Sequence, residues 1–279
     1  MKLLSNSLYI VSTPIGNLDD ITLRAINVLK NSDIILCEDT RRSLKLLNHL
    51  NIKKKLISYH KFNEKKKIPN AIEYLNQGKI LSLISDAGTP LLSDPGRLLV
   101  IKCIENEIKI VPIPGVSSIT AAVSASGFKD NYLFYGFLPK TENELDKSLT
   151  FLSEYTFSLV FFISAIKINF YLKKFKDYFS GRKIMIAREM TKIHETFYRN
   201  NIDDIEMFKT PIKGELTIMI SEKNDSKRII DKEKIVNKAK KYLKKYSLKD
   251  TVNLILESEK VNKKEIYKLC LSVRNEKNN

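Results

Sequence analysis

Four segments of the sequence concentrate residue types that bind small ligands or make tight turns. They are rich in glycine, proline, aspartate, serine or threonine, and they cover residues 13–18, 38–42, 85–96 and 112–118. A single segment of this kind most often only forms a turn. Four of them favour a ligand cleft, provided that the fold brings them to one place.

The glycine patterns in these segments indicate a ligand without a pyrophosphate group. The sequence contains neither a G-x-G-x-x-G after its first apolar run nor a G-x-x-x-x-G-K-[ST], the motifs that cradle phosphates in nucleotide sites. S-adenosylmethionine fits this description, because it joins an adenosine to a sulfonium cation and an amino-acid group. A carboxylate such as Asp86 can hold the cationic parts. Small residues such as Gly88, Ser117 and Ser118 let the backbone approach the ribose and adenine closely.

The first half of the chain alternates apolar strands with amphipathic helices, which predicts the element that positions each segment. We expect strands over 8–13, 33–37, 55–59, 80–85 and 109–112, and helices over 20–31, 41–50, 64–76, 96–105 and 117–126. Five such βα units predict a largely parallel sheet covered on both faces. The four segments follow the first, second, fourth and fifth strands, so the carboxyl edge of that sheet should collect them.

The pattern changes after Gly127, which predicts a second α/β domain with a mixed sheet. Strands are expected over 132–137, 159–163, 183–187, 196–199 and 215–221, with helices over 142–155 and 169–179. Beyond residue 226 only helices are expected. The sequence therefore predicts three domains, over 1–127, 128–225 and 226–279.

The last 54 residues are strongly basic, with 16 Lys/Arg and 7 Asp/Glu in a chain of net charge +16. Such a segment is typical of polyanion binding, although a solvated lysine-rich helical surface has the same composition. Capping boxes at Ser247–Asp250 and Asn262–Glu265 predict two helix starts. Two short helices joined by a tight turn resemble a helix-turn-helix, and any small helical bundle would read the same way.

Several classes of protein are disfavoured. No apolar run is long enough to span a bilayer, and the first residues lack the apolar region of a signal peptide. The three cysteines are widely separated and fit no zinc or disulfide spacing. The three histidines, His49, His60 and His194, are isolated, so no metal site is expected. The sequence predicts a cytoplasmic protein without a membrane partner.

Six motifs occur in order along the chain: residues 8–22 (LYIVSTPIGNLDDIT), 38–41 (EDTR), 85–90 (SDAGTP), 93–96 (SDPG), 112–115 (PIPG) and 187–192 (AREMTK). Together they resemble the ribosomal RNA small subunit methyltransferase I family, a branch of the tetrapyrrole methylase superfamily. The likeness covers essentially the whole chain, including the basic helical tail.

This resemblance implies two α/β domains with the cofactor S-adenosylmethionine in the cleft between them, followed by a small all-helical extension. It implies a homodimer that methylates the 2′-hydroxyl of a cytidine in the decoding region of 16S rRNA, on the 30S ribosomal subunit. Residues carried over to the cofactor are Pro14, Asp86, Gly88, Thr89, Pro90, Ser117 and Ser118, with Phe162 or Phe161 and Ala187 from the second domain.

Methyl transfer to a hydroxyl is helped by a general base. The candidates are Asp39 and Glu38, then Glu189, while Arg41, Arg42 and Arg188 are candidates for holding RNA phosphates. Another interpretation fits Glu38, Asp39 and Arg41 equally well. They would form a structural ion-pair cluster at a helix N-terminus, where acidic residues are favoured.

The sequence departs from the family pattern after the strand at 159–162. The family generally carries a Tyr-Glu-Ser-Pro/Thr-His-Arg run there, whereas this chain has Ile163, Ile166 and Lys167 in place of the Glu, His and Arg. No catalytic role is therefore assigned to this stretch. Two alternatives to the RNA methyltransferase stay open. One is a superfamily methyltransferase that acts on a tetrapyrrole or another small molecule, and the other is a non-catalytic RNA-binding or ribosome-assembly factor.

Overall fold

The computed structural model describes residues 3–223, 232–258 and 263–275 of the chain. The chain divides into two compact units, Met1–Lys223 and Asn224–Asn279. The first unit contains both sheets and the second contains the C-terminal helices. In the described ranges, no helix has the length and apolar character needed to cross a membrane.

The first sheet of the larger unit is entirely parallel, as predicted. Its strand order is β3-β2-β4-β1-β5. The strands are β1 (Ser7–Val11), β2 (Ile34–Cys37), β3 (Lys55–Ser58), β4 (Ile80–Ile84) and β5 (Lys109–Ile113). The helices that follow them are α1 (Leu23–Asn31), α2 (Thr40–His49), α3 (Glu64–Asn76), α4 (Arg97–Glu105) and α5 (Ser118–Ser126).

Both faces of this sheet are buried, because side chains alternate along each strand. In β1, Leu8 lies in the apolar cluster on one face, whereas Tyr9 and Val11 lie in the cluster on the other. All four residues of β2 are buried for the same reason. Such coverage is what a parallel sheet flanked by crossover helices requires.

Two helix starts differ from the predicted positions because of their caps. The helix predicted to begin at residue 20 begins at Leu23, since Thr22 accepts a hydrogen bond from the Ala25 N–H at 3.1 Å. Leu18–Asp20 form a short 3-10 turn instead. The helix predicted from residue 41 begins one residue earlier, because Asp39 is its N-cap.

The second sheet is mixed, which confirms the prediction for this half. Its strand order is β6-β7-β10-β8-β9, and only the β6–β7 pair is parallel. The strands are β6 (Tyr132–Phe137), β7 (Ser158–Ser164), β8 (Lys183–Arg188), β9 (Thr196–Asn201) and β10 (Glu215–Ile220). The helices α6 (Glu142–Ser153) and α7 (Ile168–Phe179) pack on one face through the largest apolar cluster of the chain.

The other face of the second sheet packs against α5, the last helix of the first half. Ile119 and Ala122 of α5 share an apolar cluster with Val160, Met185 and Met219 of the sheet. The two sheets therefore belong to one compact unit. The predicted division of this unit at residue 127 stays a prediction.

The described residues of the smaller unit form three helices, α8 (Lys232–Tyr242), α9 (Leu248–Ser258) and α10 (Lys263–Asn275). Each contributes to one apolar core, with Ile235, Ile255 and Cys270 at its centre. Ser247 caps α9: its hydroxyl accepts from the Asp250 N–H at 3.2 Å and lies 2.6 Å from the Asp250 carboxylate. The second expected cap, at Asn262, lies outside the described residues.

Candidate active site

A cavity of about 560 Å³ opens between the carboxyl edge of the first sheet and the second sheet. The segments after β1, β2 and β4 and the start of α5 line one side. The ends of β6, β7 and β10 line the other, together with Met190. The volume lies within the usual range for a site that holds a small molecule or cofactor. The fold therefore brings together the four segments that the sequence singles out.

Hydrogen bonds tie three of these segments to one another. The backbones of Thr13 and Gly88 exchange two hydrogen bonds, at 2.9 and 3.0 Å. The hydroxyls of Ser12 and Thr89 lie 3.0 Å apart, and the Thr89 hydroxyl also donates to the Val116 carbonyl at 3.1 Å. Gly88 has a φ of +80°, a conformation that favours glycine. The wall of the cavity is thus a connected backbone surface.

Most of the predicted cofactor residues line the cavity, namely Asp86, Gly88, Thr89, Ser117, Ser118 and Phe162. Pro14, Pro90 and Ala187 are buried and do not line it. Their neighbours in the chain do: Ile15 follows Pro14, and Thr89 precedes Pro90.

The Asp39 carboxylate forms an ion pair with the neighbouring Arg41. It accepts from the Arg41 backbone N–H at 2.8 Å and from the guanidinium at 3.1 and 2.7 Å. These bonds from Arg41 hold the pKa of Asp39 well below its usual range. A carboxylate with so low a pKa is a weak proton acceptor. For Asp39 and Arg41 the geometry favours the structural ion pair at the start of α2.

Glu38, Asp86 and Asp94 form an acidic wall in the same cavity. Asp86 accepts from the Asp39 backbone N–H at 3.0 Å and lies 3.6 Å from the Arg42 guanidinium. Burial and the Asp86 carboxylate raise the pKa of Glu38. Burial, together with the Glu38 and Asp86 carboxylates, raises the pKa of Asp94 to about 6. Asp94 is therefore poised to exchange a proton near neutral pH.

Glu189 is held in a network outside the cavity lining. Its carboxylate accepts from the Glu215 backbone N–H at 2.8 Å and from the Lys192 ammonium at 2.9 Å. Burial alone would raise the pKa of Glu189, but these bonds lower it overall. Glu189 thus anchors the segment that follows β8. The next residue of this segment, Met190, lines the cavity.

The three predicted phosphate-binding arginines have different environments. Arg42 lines the cavity beside Asp86. Arg41 is almost fully exposed and is paired with Asp39. The Arg188 Nε donates to the Lys213 carbonyl at 2.8 Å, so its guanidinium supports the turn before β10. The structure brings one of the three to the cavity.

Several lining residues had no predicted role, notably Ile15, Asp94, Phe137 and Met190. Asp94 lies in one of the four segments, so its residue type and position could have indicated that it lines the cavity. Phe137 ends β6 with its side chain 64% exposed, and an isolated phenylalanine in a strand carries no such signal. In the stretch that departs from the family pattern, Ile163 lines the cavity whereas Ile166 is 91% exposed and does not.

The model of the tetrapyrrole (corrin/porphyrin) methylases matches residues 7–206, which contain both sheets up to β9. The chain belongs to this family. A relative from Mesomycoplasma conjunctivae, named ribosomal RNA small subunit methyltransferase I, is 44% identical over 83% of this chain and 97% of its own length. A relative of the same name from Buchnera aphidicola is 39% identical over 95% of this chain and 96% of its own. These relatives confirm the predicted branch of the family, and the chain is a methyltransferase.

Solved structures support the fold at low identity. The uroporphyrin-III C-methyltransferase of Thermus thermophilus, crystallised with S-adenyl homocysteine, has a TM-score of 0.54. It is 13% identical, and the match covers 77% of this chain and 97% of that one. The two-sheet architecture is thus that of the tetrapyrrole methylases.

Proposed function

We propose that the enzyme transfers a methyl group from S-adenosylmethionine to the 2′-hydroxyl of a cytidine in the decoding region of 16S rRNA, in the cytoplasm. The observation that carries this proposal is the cavity itself. It joins the glycine- and serine-rich loops of the family to an acidic wall and to an exposed aromatic ring.

The chemistry of the cavity fits S-adenosylmethionine. Its acidic residues suit the sulfonium and ammonium cations, and Gly88, Ser117 and Ser118 leave space for an adenosine. A side chain at Gly88 would come within 3.3 Å of Ile15 and narrow that space. We propose that Asp86, Gly88, Thr89, Ser117, Ser118 and Phe162 bind the cofactor, with Pro14, Pro90 and Ala187 as supports.

When bound, the cofactor supplies an electrophilic methyl group. The protein must then hold the ribose hydroxyl within about 3–3.5 Å of that carbon, in line with the bond that breaks. Of the three predicted bases, Glu38 keeps an available carboxylate in the cavity, whereas Asp39 and Glu189 are engaged by Arg41 and Lys192. Arg42 is placed to hold an RNA phosphate at the same cavity.

The C-terminal unit is proposed to add RNA affinity. Its described residues include the exposed Lys240, Lys241 and Lys249, together with the exposed aromatic residues Tyr246 and Tyr267. Basic side chains bind phosphates, and aromatic rings stack on unpaired bases. We further propose that the enzyme acts as a homodimer on the 30S subunit.

Labelled S-adenosylmethionine tests the function directly. The protein is incubated with the labelled donor and with 30S subunits, or free 16S rRNA, that lack the modification, and the label is mapped. We expect label on the ribose of one decoding-region cytidine. RNA binding without transfer would support the non-catalytic factor. Label on a tetrapyrrole but not on RNA would support the small-molecule enzyme, and either result would overturn the proposal.

A further inference from the structure

Phe137 is an aromatic side chain that the fold leaves uncovered inside the cavity. It ends β6, lines the cavity and is 64% exposed. Its ring packs from below on Phe162, with 5.5 Å between ring centroids, and Phe162 packs on Phe134 at 5.0 Å. The ring is therefore packed against Phe162 and leaves much of its surface uncovered at the cavity.

The loop between β4 and α4 lies against Gly136, the residue before Phe137. β6 has a bulge between Phe134 and Gly136, and a Cβ at Gly136 would come within 3.0 Å of the Ser93 hydroxyl. Leu91 and Ser93 both have left-handed backbones, with φ of 71° and 69°. Such strain in non-glycine residues persists where the surrounding structure holds it, often at ligand sites. The loop so held presents Asp94 to the cavity.

We propose that Phe137 and Asp94 form the subsite for the target nucleoside of the RNA. The nucleobase stacks on the Phe137 ring, and the Asp94 carboxylate accepts the hydrogen bond and then the proton of the ribose hydroxyl. This inference rests on the proposed function. It also replaces Glu38 with Asp94 as the proton acceptor.

The covalent structure of a nucleoside explains why these two groups are neighbours. The base and the 2′-hydroxyl are attached to adjacent ribose carbons, so a site that grips both needs a flat apolar surface beside an acceptor. Proteins that recognise unpaired RNA bases commonly stack them on aromatic rings. An exposed ring and a carboxylate that line the same cofactor-sized cavity meet both needs.

The transfer balances with these groups alone. The ribose oxygen forms a bond to the methyl carbon while the carbon–sulfur bond breaks and its electron pair stays on sulfur. The hydroxyl proton passes to Asp94. The charged residues that line the cavity around Asp94 are Glu38, Asp39, Arg42, Asp86 and Glu215. Because burial and two of these carboxylates raise the pKa of Asp94 to about 6, it is ionised at neutral pH yet readily takes up a proton.

The stacking role is tested with Phe137→Ala and Phe137→Trp, assayed on RNA with the normal target cytidine and on RNA with a base-less ribose at that position. Phe62→Ala is the matched control, because Phe62 is 94% exposed and lies outside the cavity. We expect Phe137→Ala to lower kcat/KM for normal RNA on the order of tenfold or more, and Phe137→Trp to retain activity. RNA without the target base should lower kcat/KM of the wild-type enzyme by a similar factor. It should lower kcat/KM of Phe137→Ala no further, because that variant has no ring for the base to stack on.

Binding of S-adenosylhomocysteine by calorimetry shows whether the ring instead holds the adenine of the cofactor. We expect Phe137→Ala to bind it like the wild type. A loss of that affinity, or an activity equal to that of Phe62→Ala, overturns the subsite. If the wild-type enzyme labels no RNA, the proposed function fails together with the subsite. If it labels RNA and the variants do not separate, only the subsite fails.

The proton-accepting role is tested with Asp94→Asn and Asp94→Glu. We expect Asp94→Asn to lower kcat at least a hundredfold while the KM for S-adenosylmethionine changes little, and Asp94→Glu to restore part of the rate. In the wild type, kcat/KM should rise with pH through an apparent pKa near 6, and this limb should be absent from the residual activity of Asp94→Asn. A normal kcat in Asp94→Asn, or an unchanged acid limb, overturns the role.

Discussion

Two aspartates that line the same cavity, Asp39 and Asp94, illustrate how the surroundings of a carboxylate decide its use. Asp39 accepts three hydrogen bonds from Arg41 and is the N-cap of α2. Asp94 faces the Glu38 and Asp86 carboxylates instead. The residue type is the same, but the ion pair with Arg41 gives Asp39 a structural role. Burial, together with repulsion from Glu38 and Asp86, raises the pKa of Asp94 and keeps it available for a proton.

The raised pKa of Asp94 predicts a dependence of stability on pH. The pKa is about 6 in the folded protein and near 3.8 for an ordinary aspartate. Between these values the folded state binds the proton more strongly, so stability falls as pH rises through this window. Asp94→Asn should therefore raise Tm above that of the wild type at pH 7.5, and the gain should shrink toward pH 4.

Thermal unfolding followed by circular dichroism across this pH range measures the effect. Asp177→Asn, at an exposed position of α7, is the control and should show no such gain. A wild-type Tm at pH 7.5 equal to or above that of Asp94→Asn would contradict the environment assigned to Asp94.

Asp86 is predicted to matter for cofactor affinity. It joins the backbone of Asp39 to the Arg42 guanidinium and places negative charge on the cavity wall. Asp86→Ala should weaken S-adenosylmethionine binding on the order of tenfold, since it removes a charged hydrogen-bonding group. Isothermal titration calorimetry measures this change, with Asp177→Ala as the control. Equal affinities in the two variants would exclude Asp86 from the cofactor site.

At the scale of elements, the bulge in β6 packs closely against the loop before α4. Gly136 has a φ of +84°, and the Ser93 hydroxyl occupies the space that a side chain there would need. The shape of the cavity beside Phe137 therefore depends on the absence of one side chain. A strand residue thus lies against a loop more than 40 positions earlier in the chain.

Gly136→Ala and Gly181→Ala separate backbone strain from this contact. Both glycines have positive φ, but a Cβ at Gly181 would meet nothing within 4 Å. Each substitution should cost roughly 1 kcal/mol of stability through its backbone. Only Gly136→Ala should also reduce methyl transfer, because it pushes Ser93 and Asp94 out of place. Urea unfolding and single-turnover rates test this, and equal rates for the two variants would rule out the fitted contact.

The sequence predicted the elements well and the pairing of loop residues poorly. Alternating apolar runs sufficed for the parallel order of the first sheet and for collecting Asp86, Gly88 and Ser117 at one edge. The role expected of Glu189 stays a prediction, and its hydrogen-bond partner Glu215 could not be foreseen because only the fold brings it near. The sequence also carried no sign that Phe137 and Asp94 line one cavity, since a bulge in β6 and two residues of positive φ shape that region.

At the scale of the whole molecule, the basic C-terminal unit is separate from the unit that contains the cavity. The Mesomycoplasma relative is matched over almost its full length and yet leaves part of this chain unmatched. This family member therefore has a shorter chain than the present protein. We infer that residues 224–279 add affinity for RNA and are not needed for the chemistry.

Deletion of residues 224–279 should weaken RNA binding and leave S-adenosylmethionine binding unchanged. Lost lysine–phosphate contacts should also flatten the dependence of affinity on salt, by about 0.7–0.9 in slope for each contact. Filter binding at several salt concentrations measures both effects. The control is a full-length variant with Lys65 and Lys66, on α3 of the larger unit, changed to Gln. RNA affinity that survives the deletion intact would remove the tail from the interface.

The helix α5 has a consequence for how the protein can be divided. It completes the βα series of the first sheet, yet Ile119 and Ala122 pack into the second. A polypeptide cut after Gly127 would leave the second fragment without this cover and would expose Met185 and Met219. The two halves of the larger unit are thus complementary fragments, suited to reassembly from separate chains and unsuited to expression alone.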